Sequence, residues 1–246
     1  LATLIAEWVG LAIGLWFCRA AFGRPHWLDK ARVLDRARVL RMAAVNRDIL
    51  LRSLLLQTIF VSFLFFGADF GDVQLAANQV LIQFLHIVSY GLDGFAFAAE
   101  TLVGNAMGRR SSRRVRRSAL LTSVWGLVVC VLLSAVFFLL GPLLIDVMTT
   151  SPEVRESARE YLPWMIAAPV LGLGAYMLDG IFIGATRTSD MRNMMLISAG
   201  LYFVAVWALV PPLGNHGLWI ALIFSLVVRG VSLGVRYPAL ERSAEN

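Results

Sequence analysis

One long apolar stretch, Val73 to Met107, holds three ionisable residues spaced by seven: His86, Asp93 and Glu100. Seven residues is close to two helical turns, so on a helix the three share nearly one stripe. A charged group inside apolar surroundings is expensive, about 2.5–3.5 kcal/mol on insertion scales, and marks a candidate functional position. Desolvation favours the neutral form of a carboxyl, so an acid there can bind and release a proton or hold a cation. Asp93 is the deeper acid. Glu100 lies about 13 Å along a helix axis from Arg109, close to the end of the stretch. Helix packing or hinge duty, with Asp93 and Glu100 bonded near Gly91 and Gly94 or paired with arginine, is the competing reading and the weightier one. Asn78, Gln79 and Gln83 extend the polarity, and His86 reads as a lining residue rather than a metal ligand.

Asp179 repeats the Leu-Asp-Gly context of Asp93 in a later apolar stretch. Tyr176, Met177 and Phe182 around it could line an apolar cavity, and Gln57 is the polar residue of the stretch from Ile49 to Gly67. Met and aromatic side chains adapt to varied ligands, although packing is their commoner use. Pro163, Pro169, Gly172 and Gly174 suggest a bent helix, a hinge or a site of close helix packing. Arg229 either pairs with an acid or snorkels toward an interface, and snorkelling is the simpler expectation. No HExxH or other metal spacing joins His26, His86 and His216, and no CxxC joins Cys18 and Cys130, which read as buried reduced thiols. No nucleophile–base cluster argues for an enzyme.

The elements that must position these residues follow from composition. Hydrophobic residues are 59% of the chain and charged ones 15%, against about 45–50% and about 25% in soluble domains. The expected fold is all-α, a polytopic transmembrane bundle of about seven spans: Leu1 to Ala20, Ile49 to Gly67, Val73 to Met107, Ser118 to Leu140, Tyr161 to Ala185, Asn193 to Val210 and Leu218 to Tyr237. Pro25 to Asp48 reads as an interfacial amphipathic helix, and Asp146 to Glu160 as a second short one that opens at Ser151-Pro152-Glu153.

Arginine alternates between the connections. Nine basic residues lie from Arg19 to Arg52, none near Asp69 and Asp72, six from Arg109 to Arg117, and Arg155 and Arg159 stand among acids. Arg187 and Arg192 follow, then a connection with none, then a basic tail. This is the positive-inside pattern repeated, and it puts the arginine-rich connections and the C-terminus in the cytoplasm and the N-terminus outside. The net charge of +6 therefore meets lipid headgroups, not nucleic acid. An outward N-terminus without Met suggests a fragment: 1–20 the last helix of an absent first lobe, 21–48 a linker, 49–237 a complete six-helix lobe and 238–246 a tail.

Four segments carry more than hydropathy: NRDILLRS (Asn46 to Ser53), LAANQVL (Leu75 to Leu81), LDGFAFAAETLVGNAMG (Leu92 to Gly108) and LDGIFIGATRTSDMRN (Leu178 to Asn193). In this order the chain resembles the DinF branch of the multidrug and toxic compound extrusion (MATE) transporters. The resemblance implies twelve spans in two lobes, with this chain the sixth helix and the second lobe. It implies antiport coupled to H+ or Na+ without a bound cofactor, exporting organic, cationic or amphipathic compounds across a bacterial inner membrane. The absent N-terminal lobe would be the partner. The best-known coupling acid of that branch lies on a helix this chain does not contain. Other branches carry coupling acids on helices seven and ten, but the span with Gln57 has none. A flippase for lipid-linked precursors is the alternative, disfavoured because intramembrane charge looks mostly acidic. An inactive scaffold fragment is a further one.

Overall fold

The computed structural model describes residues 2–22 and 34–245. Among these residues seven helices follow one another: α1 (Ala2–Phe22), α2 (Arg36–Ala68), α3 (Asp72–Gly108), α4 (Ser112–Met148), α5 (Pro152–Gly184), α6 (Thr188–Leu213) and α7 (Asn215–Arg242). Among the described residues, six helices, α2 to α7, are long and apolar enough to cross a membrane. The other expected span, Leu1 to Ala20, falls on α1. At about 1.5 Å per residue, α2 to α7 are about 39–55 Å long, more than the roughly 30 Å hydrocarbon core requires.

The chain divides at Asn46 and Arg47 into two compact units. The first holds α1, whose side chains from Leu4 to Arg19 are exposed, and the start of α2. Asp35 caps α2, its Oδ1 accepting the Ala37 N–H at 2.9 Å. The expected interfacial helix lies partly outside the described residues. From Arg36 onward it is one unbroken helix with the following span.

In the second unit, turns of at most three residues join antiparallel helices. The expected short helix from Asp146 to Glu160 does not form separately. Asp146 lies in the last turn of α4, and the stretch from Pro152 opens α5, with Pro152 in its first turn and Glu153 beside the positive end of the helix dipole. Ser151 takes the N-cap position without a side-chain cap bond. Arg155, an apparent exception to the charge alternation, donates to the carbonyls of Asp146 and Thr149 at 2.9 Å each. Arg159 grips the Asp146 carboxylate at 2.7 and 2.8 Å. Both arginines are thus used locally to close the end of α4.

Helix α5 is the hub and packs against α3, α4 and α7, while α6 packs on α7. Lipid tails are as apolar as leucine, so helices in a membrane associate through close packing and polar contacts. Glycines let them approach. An added Cβ at Gly180 would lie 2.5 Å from the Ala96 carbonyl oxygen, and one at Gly184 2.4 Å from that of Glu100, so α5 and α3 meet at backbone distance. Gly174 and Gly230 do the same between α5 and α7. One core, around Phe63, Phe84, Phe137, Tyr202 and Trp219, fills the end whose turns are rich in acids. A second, around Val103, Val115, Met191 and Leu240, fills the arginine-rich end. Large apolar side chains such as Leu139, Val147, Trp207 and Val235 stand outward on the surface, as expected where lipid is the solvent. Cys130 is buried as expected, but Cys18 is exposed, because all of the described α1 side chains are.

Candidate functional site

The strongest concentration of buried charge joins three helices of the second unit. Asp179 of α5 is 4% exposed and Arg229 of α7 only 1%. Arg229 Nη2 lies 3.8 Å from Asp179 Oδ2, and the Arg52 guanidinium of α2 donates to the same oxygen. The expectation that Arg229 snorkels is therefore corrected: it is enclosed, and a carboxylate is its partner. The guanidinium also lies 5.9 Å from the centre of the Tyr176 ring, within cation–π reach, and Nη1 sits 3.7 Å from Met195 Sδ. Tyr176, half-buried, accepts a hydrogen bond from Ser89 of α3 at 3.0 Å. Asp179 Oδ1, Arg229 Nε and Arg52 Nε are buried without a hydrogen-bond partner among the described residues.

Asp93 is half-buried on α3 and within electrostatic reach of Arg52 and Tyr176. Two guanidiniums thus stand against two carboxylates, of which Asp179 is engaged and Asp93 makes no ion pair within 4 Å among the described residues. The buried charge is balanced rather than mostly acidic.

One turn away on α2, Asp48 is 5% exposed and accepts from Arg192 of α6 at 2.6 Å. Arg47 Nη2 lies 3.3 Å from it. Asp48 and Arg52 are four residues apart and share one helix face. That face of α2 is held by two pairs of opposite sense, its carboxylate to α6 and its guanidinium to α5.

The two Leu-Asp-Gly motifs differ in their surroundings. Asp179 is enclosed and ion-paired, and Gly180 is in contact with the α3 backbone. An added Cβ at Gly94, next to Asp93, would meet nothing within 4 Å. His86 is half-buried, its ring 6.1 Å from that of Phe60 on α2. Glu100 is half-buried, at the α3–α5 crossing, and Gln83 is exposed on α3. Gln57 is exposed and lines a shallow recess of about 400 Å³ on α2 with Leu54, Thr58, Val61, Ser62 and Phe65.

Two residues expected on a cavity wall are placed elsewhere. Met177 is 1% exposed because its thioether occupies the space above Gly126 of α4. Asn78 is fully buried in a polar knot: it exchanges bonds with Asn215 at 2.8 and 3.0 Å and accepts from Trp219 Nε1 at 3.0 Å. Pro163, Pro169 and Gly172 lie inside the continuous helix α5. Arg52, Asp48 and Arg192 were not expected as site residues. The spacing of Asp48 and Arg52 in NRDILLRS, at the opening of an apolar run, is the signal that could have found two of them. Among the described residues, no three His, Cys, Asp or Glu side chains come together to hold a metal ion.

The sequence profile of the MatE family matches residues 49–208. DNA damage-inducible protein F of Escherichia coli is 40% identical over 240 residues, covering 95% of this chain and 51% of that protein. A probable multidrug resistance protein NorM of Neisseria meningitidis is 27% identical, covering 95% of this chain and 52% of that protein. The chain spans about half the length of these relatives. Among solved structures, the Vibrio cholerae MATE transporter VcmN, in a mutant form, superposes with a TM-score of 0.82 at 15% identity, covering 97% of this chain and 55% of that one.

Proposed function

The chain belongs to the MatE family, and from that membership we propose that it forms the second six-helix lobe, with the last helix of the first, of a cation-coupled antiporter exporting organic cations or amphipathic compounds. The family is one of multi-pass membrane transporters, not of enzymes. On this reading the protein lies in a bacterial inner membrane, with the N-terminus of the chain periplasmic and the arginine-rich turns and C-terminus cytoplasmic. A first lobe of the same protein supplies the other wall of the substrate path, and the coupling ion is H+ or Na+ without a bound cofactor.

A single observation carries the coupling role: the cluster of Arg52, Asp179 and Arg229 with Asp93 beside it. With Asp93 ionised, the two guanidiniums are matched. A proton on Asp93 leaves one positive charge in excess and weakens the attraction between α3 and the cluster. Such a change shifts the balance between two helix arrangements that bind the ion differently. Pro163, Pro169 and Gly172 supply the bending point on α5, and Gln57, Gln83 and Tyr176 face the substrate.

The test is Asp93→Asn in the full-length protein, with dye efflux driven by a pH gradient. Efflux driven by the gradient is expected to be lost or strongly reduced. Unchanged efflux removes Asp93 from the mechanism. Orientation is tested by placing a cysteine at Ser111, which should react only with cytoplasmic-side reagents; labelling from the periplasm refutes it.

A further inference from the structure

Helix α4 opens with arginines that make no ion pair among the described residues. Arg113, Arg116 and Arg117 sit at i, i+3 and i+4, share one helix face and are exposed. None lies within 4 Å of a carboxylate among the described residues. One turn further on, the same face becomes apolar. Leu120, Leu121 and Val124 are each more than half exposed, and with the three arginines they form a recess of about 600 Å³.

Around Arg116 and Leu120 this recess meets a cleft of about 470 Å³ between α4, α5 and α7. Its walls are Ala119, Ser123, Leu178, Ile181, Tyr237 and Glu241. The Tyr237 ring lines this cleft, and its hydroxyl is buried beneath the surface, without a hydrogen-bond partner among the described residues.

We propose that this surface binds an anionic phospholipid of the surrounding bilayer. Its phosphate sits on the Arg113, Arg116 and Arg117 guanidiniums, and its acyl chains run along Leu120, Leu121 and Val124. Guanidinium forks match phosphate oxygens in geometry and charge, and basic residues at a membrane surface attract anionic headgroups. The apolar continuation separates a lipid from a free phosphate ion, which would leave those side chains unused. Glu241 on the cleft rim repels a second negative charge there, so the phosphate stays on the arginine side and a headgroup hydroxyl can donate to Glu241. The inference needs α4 to cross a membrane, and stands whether or not the protein transports anything.

The test is thermal unfolding of the purified full-length protein in neutral detergent, titrated with phosphatidylglycerol, phosphatidylethanolamine, phosphatidylcholine or inorganic phosphate. Phosphatidylglycerol is expected to raise the midpoint, with a half-maximal concentration roughly tenfold or more higher in R113Q/R116Q/R117Q. R36Q/R38Q/R41Q, which removes equal charge elsewhere, should leave it intact. Equal loss in that control, an equal shift with either zwitterionic lipid or with phosphate, or an unchanged triple variant overturns the proposal. If the triple variant does not fold, native mass spectrometry of R116Q decides. Retention of as much phosphatidylglycerol as the parent overturns the proposal, and reduced retention supports it.

Discussion

Replacing Asp179 by Asn should be among the most damaging single changes in the membrane-spanning core. The substitution nearly preserves shape but removes the carboxylate that two guanidiniums share. Arg229, with 2% of its side chain exposed, cannot reach water. At 3.8 Å and an effective dielectric of about 20, the attraction lost between Arg229 and Asp179 alone is about 4 kcal/mol. Breaking one side of a buried pair typically costs about 3–5 kcal/mol, because the remaining charge is left uncompensated. A domain of this size loses about 2–4 °C per kcal/mol, so the unfolding midpoint in detergent should fall by about 6–20 °C. Arg229→Met provides the contrast. It leaves Arg52 paired with Asp179, so no buried charge is left without a partner, and it should cost less than D179N. Fluorescence-detected size-exclusion after heating measures both. A D179N midpoint within about 2 °C of the parent, or R229M falling further than D179N, refutes the charge-sharing argument.

The glycines of the two Leu-Asp-Gly motifs should respond differently: G180A, whose new Cβ would lie 2.5 Å from the Ala96 carbonyl oxygen, should cost about 1–3 kcal/mol, while G94A should keep the parent midpoint. D48N should cost about 1.5–3 kcal/mol by stranding Arg192, and the swapped pair D48R/R192D should recover part of the loss in the same melting assay. N78L leaves Asn215 and the Trp219 indole N–H without their partner and should cost about 1–3 kcal/mol; equal melting of parent and variant would show that the knot contributes nothing.

The six long apolar helices of the second unit and the turns between them were legible because they follow from local hydropathy and charge, whereas the separate short helix expected from Asp146 to Glu160 is the junction of α4 and α5. Asp69 and Asp72, the run from Arg109 to Arg117, and Ser151-Pro152-Glu153 all mark real turns. Helix ends were less legible. Hydropathy senses the lipid-soluble part of a helix, whereas the backbone stays helical through polar flanks such as Ser112 to Arg117 and Pro152 to Glu160. The buried charge cluster was not legible as a constellation. Asp93 and Asp179 stand out as acids in apolar runs, yet nothing local says that Arg52 meets Asp179, 127 positions away. Met177 and Asn78 show the same limit, since what makes one a packing residue and the other part of a knot is Gly126 or Asn215 on another helix.

Only Gly214 separates α6 from α7. Its backbone, at φ 55° and ψ −134°, occupies a region that essentially only glycine tolerates. A reversal this short ties the C-terminal end of α6 to the N-terminal end of α7, so the two helices form one hairpin whose legs cannot separate at that end. Arg187, Arg192, Arg236 and Arg242 all lie at the opposite, open end of the hairpin.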